Sequence, residues 1–522
     1  MMNRVILTVF VLLASLSMAS GQLKHNAATP KDPATLPVPQ ELRGEVISGL
    51  FDASEIYPGT VRKFQVFIPQ KYDGTSPACL LLGLDGNLFN AITVIDNLIC
   101  KGEMPVTIGV FVDPGVSYLP DGSVARYNRS NEFDRTNGDL AQFLETELLP
   151  HIEGLKCSDG RAIIISKNPN DRAITGASSS GIAAFTVAWE RPDLFSRVYS
   201  SVGTFVAMRG GNEYPAIIRK SEPKPLRIFL QDGVNDTWNH IFGDWWEYNQ
   251  LISSALNFAG YEFDFKWDRG THSIYYGTRA YPDAMRWLWR GWPEPVQTGK
   301  SMNGMLESLL VDGEGWKETD ELPAEVNGRG AEPQMPSSLK RVLKEEPVCT
   351  QALADGRYYV STHDGSIWLA ASGRKPVKLA VLPTGSSQFA IYPNNRLIIT
   401  SEKNSNWLIS YIVKDDGSLE HGQRFYWLHN RDNHTQIPVG NMVFDTQGNL
   451  FVATSMGIQV CDQNGRVRAI LAPAGCSRVD EIYLSGNRIY AFAGGKWYVR
   501  NIAHAGYDPL KGPIDVKSQG QG

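Results

Sequence analysis

Through the first half of the chain, apolar and polar positions shift repeatedly between a two-residue and a helical period. Residues 62–69 (RKFQVFIP) alternate, as a half-buried strand does, and 78–82 (ACLLL) form the continuous apolar run of a buried one. Residues 140–149 carry apolar side chains at helical spacing, 173–175 read as a short strand, and 181–189 as a packed helix. A strand over 226–230, a helix over 246–259 closed by Gly260 and an alternating run over 261–267 complete the series. Strands and helices in this alternation predict an α/β fold, a mostly parallel sheet wrapped by helices.

After Trp292-Pro293-Glu294-Pro295 the pattern changes. Residues 301–347 are charged and spotted with Pro and Gly, more linker than core. Beyond them a turn followed by a short apolar strand recurs, as DGRYYV (355–360), NNRLII (394–399), QGNLFV (447–452) and SGNRIY (485–490). Spacings of about 40 to 50 residues match a β-propeller blade, so this half is expected to be all-β.

The amino terminus bears on the compartment. Arg4 precedes the apolar run 5–13, and Ala19-Ser20-Gly21 follow, the layout of a cleaved signal peptide over 1–21. The run is shorter than the roughly 20 residues a membrane span needs. A soluble, secreted or periplasmic mature chain beginning near Gln22 is expected, with an unpatterned leader over 22–43. A formal net charge of −5 in 522 residues argues against nucleic acid as a partner. The six cysteines have no CxxC pair and no zinc spacing; Cys461 with Cys476 is the nearest candidate disulfide, and buried free thiols are the alternative. Thirteen tryptophans exceed what a core of this size needs, and carbohydrate stacking is one use for those at the surface.

Candidate chemistry centres on TGASSSG (175–181), set between a strand and a helix. A nucleophile on such a sharp turn needs small residues two positions away on either side, and Gly176 and Ser180 flank Ser178 in that way. Ala177 and Gly181 flank Ser179 almost as well, and a serine cluster opening a helix also serves as a cap. The backbone N–H after the nucleophile, that of Ser179 in the first register, is then aimed at a substrate carbonyl. In the chain order Ser, acid, His, the histidines between Ser178 and the linker are His240 and His272. His272 lies in a polar loop past the last strand, whereas His240 comes early and reads as a surface residue. The strand over 226–230 runs into QDGVND (231–236), where Asp236 is preferred over Asp232, and Asp244 stands third. Such a carboxylate fixes the tautomer of the His and stabilises its imidazolium.

With these motifs assembled, residues 45–295 resemble the esterase family that includes enterochelin, feruloyl and acetylxylan esterases. GASSSG (176–181), WERPDLF (189–195), QDGVND (231–236) and GTHS (270–273) carry the resemblance. It implies an α/β-hydrolase fold with Ser178 as nucleophile, Asp236 as acid and His272 as base, and Asn87 in LDGN (84–87) as the other side of the oxyanion hole. The family usually has Gly where Ser180 stands. More loosely, the second half resembles gluconolactonase-like propellers, whose axial metal is held by a Glu, an Asn and an Asp. Here Gln351, Ser387 or Gln388, and Gly440 or Asn441 fall at those positions, and the region looks one or two blades short. No metal and no cofactor are expected.

The expected organisation is a signal peptide (1–21), leader (22–43), α/β-hydrolase domain (44–295), linker (296–335), degenerate propeller-like domain (336–510) and tail (511–522). The leading functional expectation is an exported serine carboxylester hydrolase acting on acyl or aryl esters of carbohydrate, small or polymeric. Trp238, Trp245, Trp246, Tyr275 and Tyr276, close in sequence to the acid and base, are the candidate substrate surface. Siderophore-ester hydrolysis is a second enzymatic reading, with Arg126 and Arg129 as the cations a catecholate would need. A binding protein that has lost catalysis is the alternative of another class.

Overall fold

Eight strands of the first half join into one sheet because their sequences suit either its middle or its edges. In chain order the strands are β1 (Glu45–Phe51), β2 (Arg62–Ile68), β3 (Cys79–Leu84) and β4 (Thr107–Val112), then a small hairpin of β5 (Val116–Tyr118) and β6 (Val124–Tyr127). There follow β7 (Arg172–Ala177), β8 (Arg197–Ser201) and β9 (Arg227–Gly233), a second hairpin of β10 (Trp238–Asn239) and β11 (Gly243–Asp244), and β12 (Glu262–Asp268). The large sheet has the order β1-β2-β4-β3-β7-β8-β9-β12. β2 is antiparallel to both β1 and β4, and every later neighbour is parallel. Central strands β3, β4 and β7 are buried at every residue, which is why β3 reads as a continuous apolar run. Edge strand β1 buries alternate residues less fully and keeps the two-residue period.

Helices α1 (Ala91–Lys101) and α4 (Ile274–Trp289) pack together over the sheet, enclosing Leu81, Phe111, Tyr199, Phe229, Tyr281 and Leu288. Helix α2 (Ser179–Glu190) packs on β7 and β8, and α3 (Trp245–Phe258) precedes β12. The helix expected over 140–149 is interrupted by a wider π-helical turn at Leu144–Leu148.

The computed structural model describes residues 31–323, 337–343, 347–382, 388–402, 404–430, 439–473 and 475–517. The expected signal peptide, most of the leader, residues 324–335 of the linker, Ser387 and the last five residues of the tail lie outside them. The chain divides into two units, one running to Pro215 with Lys224–Asn257 and Tyr261–Gly299, the other comprising Ala216–Pro223, Phe258–Gly260 and Lys300 onward.

Among the described residues the second unit contains four four-stranded sheets. Three are built from consecutive strands within 349–381, 389–427 and 439–471. The fourth takes Glu481–Ser485, Arg488–Ala493 and Lys496–Asn501, and receives Lys317–Glu318 as its outer strand. Part of the segment read as linker is therefore blade, and the helix Gly304–Leu309 buries Leu306 and Leu309 among Phe451, Val460 and Ile489. The region is a four-bladed, propeller-like fold.

Candidate active site

Strand β3 pairs with β4 on one side and β7 on the other, so the winding of the sheet reverses at β3. In open α/β sheets the crevice beyond the carboxyl ends of the strands at such a reversal is where ligands bind. β3 runs out there into Asp85-Gly86-Asn87, and β7 into Ser178.

Ser178 is the turn itself, with φ 59° and ψ −121°. Ser179 already opens α2, so the register is that of Gly176-x-Ser178-x-Ser180. A Cβ on Gly176 would stand 2.1 Å from the carbonyl oxygen of Ser180, which makes glycine obligatory there. Ser180, where the family usually has Gly, is fully buried. Its hydroxyl donates to Ala177 O (2.8 Å) and accepts from Ala177 N–H (2.9 Å), tying the strand end to the first turn of the helix.

The loops after β9 and β12 converge on this turn. His272 Nε2 lies 2.8 Å from Ser178 Oγ, and His272 Nδ1 lies 2.7 Å from Asp236 Oδ1. That oxygen also accepts the Thr237 N–H. The Asp236 side chain is wholly buried, while His272 keeps part of its ring open to solvent. Burial pushes the Asp236 carboxyl up, but its contacts with His272 and the neighbouring Asp232 outweigh it and hold it below the usual carboxylate range. Asp232 is buried at the end of β9, and Asp244 accepts the Glu247 N–H at the start of α3. His240 sits exposed on the β10–β11 hairpin, edge-on to Trp238.

Among the aromatic candidates, Trp245 reaches the relay: its ring is edge-on to His272 at 5.6 Å, and its Nε1 donates to Thr204 Oγ1 (3.2 Å). Trp246 instead meets Trp267 of β12 edge-on at 5.4 Å. Trp238 and Tyr275 are 62% and 57% exposed. Tyr276 lies against Gly270, where a Cβ would come within 2.4 Å of its ring.

Thr204, which the sequence did not single out, has Oγ1 3.2 Å from Ser178 Oγ and donates its N–H to Ser178 O. Its one signal was position, just beyond the carboxyl end of β8. The loop after β3 turns through positive φ at Asp85 (64°), Gly86 (73°), Phe89 (59°) and Asn90 (54°). Asp85 is gripped by both prongs of Arg129, at 2.8 and 2.6 Å, so this guanidinium holds the loop. The Asn87 side chain accepts the Ile92 N–H. Arg126 reaches Ser117 across the β5–β6 hairpin at 3.5 Å.

In the second unit, Gln351 donates to the backbone at Ala352, and the amide of Asn441 both donates to and accepts from the Ile482 backbone. Gln388 donates its backbone N–H to Ser401 Oγ, and a Cβ on Gly440 would collide with Asp480 O. Among the described residues no cluster of three His, Cys, Asp or Glu could hold a metal. All six cysteines are unpaired, Cys461 and Cys476 included. No described helix is long and apolar enough to cross a membrane.

Residues 56–276 match the family model described as Putative esterase. Among solved structures, a ferulic acid esterase is similar at 18% identity and TM-score 0.37, over 48% of this chain and 98% of its own. An enterobactin esterase from Shigella flexneri is similar at 18% identity and TM-score 0.39, over 51% of this chain and 64% of its own. A feruloyl esterase module from Clostridium thermocellum aligns at 15% identity and TM-score 0.36, over 52% of this chain and 98% of its own. No curated protein matches the chain. The match falls mainly in the first unit, an esterase-like α/β domain, and it supports a carboxylic ester hydrolase.

Proposed function

We propose that the chain is an exported serine esterase that cleaves acyl or aryl esters of carbohydrate through Ser178, His272 and Asp236. The observation that carries this reading is the unbroken relay from Asp236 Oδ1 through His272 to Ser178 Oγ, at 2.7 and 2.8 Å. As Ser178 Oγ attacks the ester carbon, His272 Nε2 takes its proton. Asp236 accepts the Nδ1–H, fixing the tautomer and stabilising the imidazolium. The carbonyl oxygen becomes an oxyanion held by the N–H groups of Ser179 and Asn87, the first being the opening donor of α2 and free of an intrahelical partner. His272 then protonates the departing alkoxide oxygen, and the alcohol leaves. Water, deprotonated by the same imidazole, releases the acid and returns the proton to Ser178.

Two observations support the substrate class. Trp238 and Ile241 follow Asp236, and Ile274 and Tyr275 follow His272 at the start of α4, all exposed large apolar side chains next to the two loops that form the relay. Surfaces of that kind suit an aromatic acyl group or a sugar ring better than a charged ligand. A catecholate siderophore asks for available cations, and Arg129 is engaged with Asp85. Export rests on the charged start, apolar run and small residues of positions 1–21.

A panel of feruloyl, acetyl and methyl esters of sugars, offered to the full chain and to Ser178→Ala, tests the reading. Hydrolysis of aryl or acyl esters, with fluorophosphonate labelling that Ser178→Ala abolishes, is the expected result. A chain that neither hydrolyses any of these esters nor takes the label is a binding protein, and the proposal fails. Amino-terminal sequencing of the protein recovered outside the cytoplasm should begin near Gln22.

A further inference from the structure

Two carboxyl groups, not one, stand behind His272. Strand β9 ends at Asp232-Gly233, and the turn closed by Asp236 N–H to Gly233 O (3.0 Å) folds Asp236 back beside Asp232. The two side chains lie within hydrogen-bond reach of each other. Asp232 is fully buried, and its Oδ1 accepts the Gly233 N–H at 2.7 Å. Asp236 Oδ1 serves His272 and Thr237. The remaining oxygens, Asp232 Oδ2 and Asp236 Oδ2, are both buried, and no donor among the described residues reaches either.

Two ionised carboxylates cannot share such a place. Each would leave a desolvated oxygen unsatisfied, and the like charges would repel. One proton between them removes both costs, because it turns one orphan acceptor into a donor for the other. Asp236 faces the imidazole that becomes cationic during turnover. Asp232 faces only a backbone N–H, with the carboxylate of Asp268 on β12 adding to the negative field.

We propose that Asp232 is protonated in the working enzyme and donates a hydrogen bond to Asp236 Oδ2, making it the positioning residue of the triad acid. With both oxygens anchored, the Asp236 carboxylate cannot rotate, so Oδ1 stays on His272 Nδ1 and Nε2 stays on Ser178. Burial first, then the hydrogen bond and charge of Asp236, push the Asp232 carboxyl well above the usual range, in keeping with this assignment. The inference rests on the triad of the preceding section.

The experiment compares Asp232→Ala, Asp232→Asn and Asp236→Asn in the full chain, reading kcat and KM separately on an ester the wild type hydrolyses. Asp232→Ala removes the donor and should lower kcat about 10- to 100-fold, with KM moving less than about twofold. Asp232→Asn should recover most of that loss, because its Nδ2 donates to the same oxygen and its Oδ1 accepts from Gly233. If Asp232→Asn is as slow as Asp232→Ala, or Asp232→Ala keeps the wild-type kcat, the proposal is overturned. Should Asp232→Ala fail to fold, the amide decides alone: kcat within about tenfold of wild type supports the proposal and a greater loss ends it. Failure of the triad reading looks different, since Asp236→Asn would then remain active.

Discussion

Ser178 holds a backbone conformation, φ 59° and ψ −121°, that costs a residue with a side chain on the order of 1–3 kcal/mol. Its neighbours hold it there. Gly176 lets the helix carbonyl approach, and the Ser180 hydroxyl bonds the strand end twice. Ser178→Ala should therefore reduce turnover on the order of a millionfold. Ser179→Ala should lose far less, since the role given to Ser179 lies in its backbone N–H. The reverse order, read as kcat on any ester the wild type cleaves, would move the nucleophile to Ser179. Ser180→Ala gives up both bonds to Ala177 and should lower stability by about 1–2 kcal/mol, measured as a shift in urea midpoint. The Ser179 register looked almost as good as that of Ser178 in the sequence because both have glycine or another small residue on each side. Gly181 is confined as well, but by Ser200 Oγ and Ser201 O, so its smallness reports helix packing and not the turn. Thr204 and the burial of Asp232 left no trace at this scale. Each is defined by strand ends brought together across the sheet, and no local pattern encodes that.

The elements that read clearly from the sequence are those whose burial is uniform or strictly alternating. β3 and β7 are buried throughout, and β2 buries Arg62, Phe64 and Val66 while leaving Lys63 exposed and Gln65 half-buried between them. In the second unit each recurring turn precedes the second strand of a blade, and Gly356, Asn395, Gly448 and Gly486 carry the positive φ that closes it. Lys317–Glu318 was not legible: two charged residues have no period, and only pairing with Tyr498 and Val499 makes them a strand. Nor does sequence give strand order, so the contact between the Asp236 loop and the His272 loop came only with the structure. Val234 N–H bonds Asp268 O, Asn235 N–H bonds Gly270 O, and Asn235 Nδ2 bonds Arg269 O, fastening the two loops side by side. Gly233 is the point of closest approach, where a Cβ would stand 2.4 Å from Gly270 O. Gly233→Ala should push the loops apart and misalign Asp236 and His272, costing about 100-fold in kcat. Gly138→Ala, which meets nothing within 4 Å, is the matched control and should keep its rate. Equal rates for the two variants would mean that the loops tolerate separation.

For the whole molecule, composition excludes more than it assigns. A net charge of −5 spread over 522 residues leaves no strong overall field, so the response of the folded chain to pH depends on individual buried groups. His429 in the second unit is such a group, and nothing in its sequence neighbourhood separates it from a surface histidine. It is 6% exposed, its backbone exchanges hydrogen bonds with the Gln459 side chain, and its Nε2 accepts from Lys220 Nζ at 2.8 Å. Burial, and then the charge of Lys220, lower its pKa from 6.5 to about 4. The folded chain thus keeps His429 neutral down to about pH 4, whereas the unfolded chain binds the proton near 6.5. Between those values the unfolded state holds one more proton, so stability falls as the pH drops from about 6.5 to about 4 and is fully present above that window. At about 1.4 kcal/mol per pH unit the loss across the window is on the order of 3 kcal/mol. His429→Gln keeps an acceptor for Lys220 and has no proton to gain. Thermal unfolding of the two proteins at pH 7.5 and pH 4.5 should show the wild type losing more of its midpoint than His429→Gln. Equal losses would mean that His429 is already protonated in the folded chain at the lower pH, with Lys220 no longer donating to it.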